Sequence, residues 1–235
     1  MLARSRWFVF ALATPLAAAA PVAFAAFAAF ALGSCTSSGD TADAAYLGVQ
    51  GEASAPMGVC GAVEQEQQIE GWTHVAVCSY VEYFTNPPSS GNHYPIWAAY
   101  KTYTTPVPDG FFVHNLEHGA IVLTYNCALY DGGDDGGACN ADIAAAQAML
   151  DAIPTDPDCV AQGSPVLHRT LMTPDPNLDV PFAASAWGWT LRARCFDPVV
   201  FGAFASAHAD RGREDICADG DDVSYGLQPG CGDPP

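Results

Sequence analysis

Two short segments carry the residue types that could do chemistry. His114-Asn115-Leu116-Glu117-His118-Gly119 sets two imidazoles four positions apart, and Ser90-Gly91-Asn92-His93-Tyr94-Pro95 presents a third in a loop held by Gly and Pro. Four-residue spacing puts two side chains on one face of a helix, one turn apart, and an even spacing does the same on a strand. Either geometry offers two neutral nitrogens to one cation. Three imidazoles suit Zn²⁺ or Cu²⁺, both of which bind borderline nitrogen ligands well. The expected ligands are therefore His93, His114 and His118, with copper before zinc. Glu117 is expected to orient one imidazole from behind, as carboxylates commonly do. Met149 and Met172 could add a soft ligand, but nothing in the sequence brings them near. His74, His168 and His208 lack such a context and read as structural or surface residues.

Two other functions compete with non-catalytic metal binding. The first is a metal-dependent hydrolase or oxidase with Glu117 as general base. His114-x-x-Glu117-His118 fits the pattern of inverted zinc metalloproteases. However, Gly119 and the strand-like Ala120–Tyr125 leave little room for the long helix that pattern needs. The only later Glu is Glu214, in an acidic Cys-flanked tail. The second competitor is a metal-free envelope interaction or structural domain whose His motifs only organise loops. No Ser lies in a G-x-S-x-G elbow, and the Asp/Gly runs at 131–137 and 219–222 lack an EF-hand register, so they read as solvated turns. Tyr83, Tyr94, Trp97, Tyr100 and Tyr103 surround His93 in sequence and read as core packing before ligand lining.

The elements that must position these residues are short. Thr73–Val77, Val81–Phe84, Ala120–Tyr125, Val166–Leu171 and Ala183–Ala193 read as strands, and Phe111–Val113 as an apolar stretch. Ala141–Ile153 is the clearest helix, stopped by Pro154, with Ala141, Ala145, Ala148 and Ala152 on one side; Val199–Ala209 is a second. Short mixed strands with about two helices give an α+β domain.

Composition bounds the setting. The 235 residues suit one ordinary domain, and 26 acids against 8 bases give a formal charge of −18. Phosphate binding needs clustered Lys and Arg, so nucleic acid is not an expected partner. The N-terminus reads as an export signal: Arg4 and Arg6, an apolar stretch from Trp7 to Leu32, then Leu32-Gly33-Ser34-Cys35, similar to a lipobox whose Cys35 is lipidated. The apolar stretch is longer than the roughly 7–15 residues of a usual signal core, so an uncleaved membrane anchor competes. Residues 1–35 are thus expected to be a lipoprotein-type signal, 36–57 a flexible tether, 58–211 the folded domain and 212–235 an acidic Gly-rich tail. Removing 1–35 takes two Arg and no acid, which leaves the mature part at −20. The setting is the cell envelope, on the outer membrane or its periplasmic face, with the lipid as the membrane contact and any protein partner unspecified. The eight cysteines after Cys35 read as four disulfides, as in exported chains. Short loops suggest Cys127–Cys139 and Cys217–Cys231, leaving Cys60–Cys78 and Cys159–Cys195. No Cys-x-x-Cys pair supports a thiolate metal site.

The residues also resemble a family. Asn86-Pro87-Pro88-Ser89-Ser90-Gly91-Asn92-His93-Tyr94-Pro95, Val107-Pro108-Asp109, Val113-His114-Asn115-Leu116-Glu117-His118-Gly119-Ala120-Ile121-Val122 and Ala186-Trp187-Gly188 are similar to the bacterial family catalogued as domain of unknown function 3105. That family has a Pro-Pro-Thr-Ser-Gly-Pro-His-Tyr loop, a His-Asn-Leu-Glu-His-Gly motif and a later Trp-Gly. The resemblance spans about Thr73 to Asp210, with Ser89 in place of Thr and Asn92 in place of Pro. It implies that His93, His114, Glu117 and His118 form one recurring constellation. The segment around His168 matches no family motif, and the family supplies no activity to transfer.

Overall fold

The computed structural model describes residues 50–130, 137–224 and 229–234. The expected signal segment, Cys35, most of the expected tether and residues 131–136 of the Asp/Gly run lie outside the described residues.

The fold is α+β, built on one five-stranded sheet. The strands are β1 (Val63–Glu66), β2 (Ile121–Tyr125), β3 (Thr170–Pro174), β4 (Phe182–Ala186) and β5 (Trp189–Ala193). They lie in the order β1-β5-β4-β2-β3; β2 and β3 pair parallel and the other pairs are antiparallel. The helices are α1 (Asp109–Glu117), α2 (Gly137–Asp151), α3 (Pro157–Gln162) and α4 (Pro198–His208).

Successive side chains of a strand leave opposite faces, and β2 buries both. Ile121 and Leu123 join the apolar layer that contains Leu150 of α2 and Phe201 and Phe204 of α4. Val122 joins the other layer, with Phe111, Phe112 and Leu116 of α1 and Leu171 of β3. A strand covered on both faces reads as an unbroken apolar run, which is why Ile121–Tyr125 is evident in sequence. The sheet thus separates α2 and α4 from α1, and the candidate site lies on the α1 side.

Several expectations are corrected. Among the described residues four α-helices form rather than about two. α1 is hidden in sequence because Gly110 through Glu117 are all buried, and a helix wrapped on every side shows no polar stripe at a 3.6-residue period. α3 has Asp156 capping Asp158 and Cys159, Pro157 at its first turn and Gly163 in the left-handed conformation (φ +69°) at its end. These are ordinary start and stop signals, but they bound only six residues. Thr73–Val77 and Val81–Phe84 are not strands; only His74 bridges in β fashion, to His93. Val166–Leu171 yields a strand starting only at Thr170. Ala183–Ala193 is a hairpin, folded over Trp187-Gly188 between the paired Ala186 and Trp189, with Gly188 at φ +73°. In α2 Ala146 and Leu150 are buried in the core with Ile143 and Met149 packed against it, while Ala141, Ala145 and Ala148, and Ala152 just past its end, face solvent. β1, Val-Glu-Gln-Glu, has no apolar alternation because it is a half-buried edge strand.

Four disulfides form, but only Cys127–Cys139 is paired as expected. The others are Cys60–Cys195, Cys78–Cys231 and Cys159–Cys217. Nearness along the chain misleads here because β1 pairs with β5 across the whole domain, which sets Cys60 against Cys195. Two bridges also pin the C-terminal segment to the domain.

Candidate metal centre

α1 presents His114, Glu117 and His118 within one turn of each other, all at most 3% exposed. The helix begins with Asp109 after Pro108 and ends as His118 leaves helical register into Gly119, at φ +87°. Its last carbonyls, which have no partner inside the helix, are satisfied from elsewhere. Glu214 N–H donates to the Glu117 carbonyl (2.8 Å), and Arg169 Nη1 donates to that of His118 (2.5 Å). Arg169 itself is buried, and also binds Asp156 (2.5 Å), Asp210 (2.8 Å) and Asp215 (2.7 Å). A guanidinium at a helix C-terminus complements the helix dipole.

The loop carrying His93 is held against residues 71–75. Gly91 N–H donates to the Gly71 carbonyl (3.1 Å), His93 N–H to that of Thr73 (3.1 Å), and Val75 N–H to that of His93 (2.8 Å). Gly91 sits at φ +124°, and a Cβ there would lie 2.8 Å from the Tyr83 ring. This pairing brings in His74, which the sequence did not single out. The His74 ring stacks on His114 (centroids 4.9 Å) and meets His93 edge-on (5.0 Å); His93 and His114 are 4.8 Å apart. One ligand atom from each of His74, His93, His114 and Glu117 lies within 4.8 Å of all the others. A tetrahedral zinc with about 2.0–2.1 Å nitrogen distances spaces its ligands by about 3.3 Å, so small side-chain rotations close this group on an ion.

Hydrogen bonding sets the tautomers. His93 Nδ1 lies 2.8 Å from the Gly91 carbonyl and His114 Nδ1 lies 2.6 Å from that of Tyr94. A carbonyl oxygen only accepts, so each Nδ1 carries the proton and each neutral ring keeps its lone pair on Nε2. The Nε2 of His93 is 3.0 Å from Glu117 Oε2, yet it has no partner in hydrogen-bond geometry. A positive charge shared at this contact joins the imidazole to the carboxylate, and the same contact holds the Glu117 carboxyl low.

His118 flanks this group beside the free nitrogen of His114. Its Nε2 contacts His114 Nε2 at 3.1 Å and lies 3.8 Å from Glu214 Oε2, its ring packs edge-on against Trp97 at 4.5 Å, and its Nδ1 has no hydrogen-bond partner among the described residues. The structure therefore gathers His93, His114, Glu117 and His118 in one place, as the motifs suggest, and it is His74 rather than His118 that completes the tightest set of donors. No local spacing flags His74, because its neighbourhood is created by a contact across nineteen positions.

Charge is arranged for a cation. Burial first, and then neighbouring imidazoles, lower His114 and His118 to about 4, so both rings are neutral at neutral pH. Burial alone would raise Glu117, but His93 and Arg213 outweigh it and hold the carboxyl below its usual value. Arg213 Nη1 donates to Glu117 Oε1 (3.1 Å), and its guanidinium lies over the Trp72 ring (5.0 Å). Gly212 permits that approach, since a Cβ there would lie 2.2 Å from the Glu117 carbonyl oxygen.

The remaining candidates lie elsewhere. His208 binds Glu64 (2.9 Å) and stacks on Trp189 (4.4 Å), and His168 lines a separate cavity. Met149 and Met172 belong to the apolar layer of α2 and α4, across the sheet. Asp156, Cys159 and Cys217 also lie close together, but the two sulfurs share a disulfide and Asp156 is paired with Arg169. α1 spans nine residues and ends at Glu117, so it is not the long helix of a metalloprotease.

No curated protein and no solved structure is detectably similar to the chain. One family pattern does match, over residues 74–219, a stretch that contains His74, His93, His114, Glu117 and His118; the chain belongs to the family described as protein of unknown function DUF3105.

Proposed function

We propose that the protein binds one divalent transition-metal ion through His74, His93, His114 and Glu117, without turning over a substrate. The observation that carries this reading is the convergence of one ligand atom from each of these four side chains to within 4.8 Å of one another, with His93 Nε2 3.0 Å from Glu117 Oε2. His118 flanks the same His114 nitrogen, Nε2 to Nε2 at 3.1 Å. Copper is favoured over zinc because a site of three imidazoles and one carboxylate follows the general affinity order, in which Cu²⁺ exceeds Zn²⁺. The non-catalytic reading rests on Glu117. A general base works best with a pKa near the operating pH, whereas this carboxyl is held low and shares its oxygens with His93 and Arg213. The lipobox-like segment ending in Cys35, together with four disulfides, supports an exported protein anchored by lipid at the cell envelope.

Elemental analysis of the purified, oxidised protein after dialysis against mixed Cu²⁺ and Zn²⁺ tests this. About one ion per chain is expected, lost in His93→Ala while circular dichroism stays native. Absence of stoichiometric metal would refute the reading. An enzyme reading would gain instead if Glu117→Gln kept the metal and abolished a measured turnover.

A further inference from the structure

A second site lies at the other end of α1. A cavity of about 570 Å³ opens there, within the roughly 300–1,000 Å³ typical of small-molecule pockets. Tyr80, Tyr83 and Tyr94 line it, with six prolines, and among the described residues its charged lining groups are Asp109, Asp175 and Asp233, with no Lys, Arg or His. The tyrosine hydroxyls nearest α1 are already used. Tyr83 donates to the Asn92 carbonyl (2.8 Å) and Tyr94 to that of Ser79 (2.9 Å). What these residues leave to a ligand is ring surface.

Asp109 is the unexplained group. It stands in the first turn of α1 but caps nothing, and among the described residues its carboxylate has no hydrogen-bond or ion-pair partner. Burial, and then the neighbouring Asp175, push its pKa up to about 7. Asp175 accepts backbone N–H groups of Asn177 (2.8 Å) and Leu178 and has no cationic partner among the described residues. Two carboxylates crowd one pocket with no cation to offset them, which costs free energy unless a partner of opposite charge arrives.

These features select a ligand class. Anions are repelled by the carboxylates. Aromatic faces and carboxylates both attract cations, while tyrosine rings and prolines cover carbon. We propose that this cavity binds an organic ammonium ion with an apolar body, its charge against Asp109 and Asp175 and its carbons against Tyr83, Tyr94 and the prolines. It shares no ligating residue with the metal centre, so it stands independently of that reading.

Isothermal titration of the full oxidised chain with putrescine and with choline tests the proposal, with CaCl₂ as the inorganic arm. Saturable one-to-one binding of at least one amine is expected, weakened tenfold or more in Asp109→Asn and in Asp175→Asn, with native circular dichroism and unchanged metal content. Tyr83→Leu should weaken binding severalfold, since it keeps bulk and removes the ring. No saturable heat from either amine at millimolar concentration would overturn the proposal. So would binding that ignores both Asp substitutions, or Ca²⁺ binding to the same aspartates more tightly than either amine.

Discussion

Glu117 is pulled from two sides. His93 approaches one oxygen and Arg213 the other, and each removes a different liability of a buried carboxylate. Glu117→Gln keeps the shape and removes the charge of a proposed ligand, so copper affinity should fall by at least about tenfold, the smallest loss typical even for a partner behind a ligand, read by competition with a chelator of known affinity. His114 and His118 set the acid response. Both are lowered to about 4 by burial, below the ordinary value of about 6.5. The unfolded chain therefore binds more protons between those values. Stability is fully present above about pH 6.5 and declines as pH falls toward 4, by about 3 kcal/mol for each imidazole. Glu117, held below its ordinary value, adds to the loss as pH falls further. Urea unfolding of the metal-free protein at a series of pH values should show this decline, and His118→Gln should flatten it. A midpoint independent of pH from 7 to 4 would contradict the burial argument.

At the scale of elements, the site depends on how the end of α1 is held. Arg169 spans His118 and three aspartates, so Arg169→Met leaves buried Asp156 unpaired. Breaking a buried pair from one side typically costs about 3–5 kcal/mol, and chemical denaturation should read a loss of that size. Gly212→Ala should also destabilise, because its Cβ would meet backbone at 2.2 Å; a thermal midpoint unchanged from wild type would show that the segment can move aside. This scale also shows what the sequence reveals. β2, α2 and α4 are legible because their apolar runs or caps are strong. α1 is not, because total burial erases its periodicity. His93, His114, Glu117 and His118 are legible because their motifs are local. His74 and Arg213 are not, since one arrives through a pairing of residues 71–75 with 91–93 and the other on the C-terminal segment.

For the whole molecule, long-range closure does most of the stapling. Cys60–Cys195 and Cys78–Cys231 join residues 135 and 153 positions apart, against 12 for Cys127–Cys139. Long loops lose more entropy on closure, about 5 kcal/mol against about 3 for a short one. Replacing Cys78 and Cys231 by Ala should therefore lower the unfolding free energy more than replacing Cys127 and Cys139. Equal losses would count against loop entropy as the main effect. The pairing itself was only partly legible, because it follows from sheet order rather than from chain distance. The formal charge of −18 favours approach of cations to both sites. No helix among the described residues is long and apolar enough to cross a membrane, so any membrane contact proposed here rests on the N-terminal segment. The most direct test is the copper content of two single variants of the oxidised protein, His74→Ala and His118→Ala, measured with wild type after identical loading and dialysis. The site of His74, His93, His114 and Glu117 predicts about one copper in wild type, substantial loss in His74→Ala and retention, with weaker affinity, in His118→Ala. Full copper in His74→Ala with none in His118→Ala would contradict it.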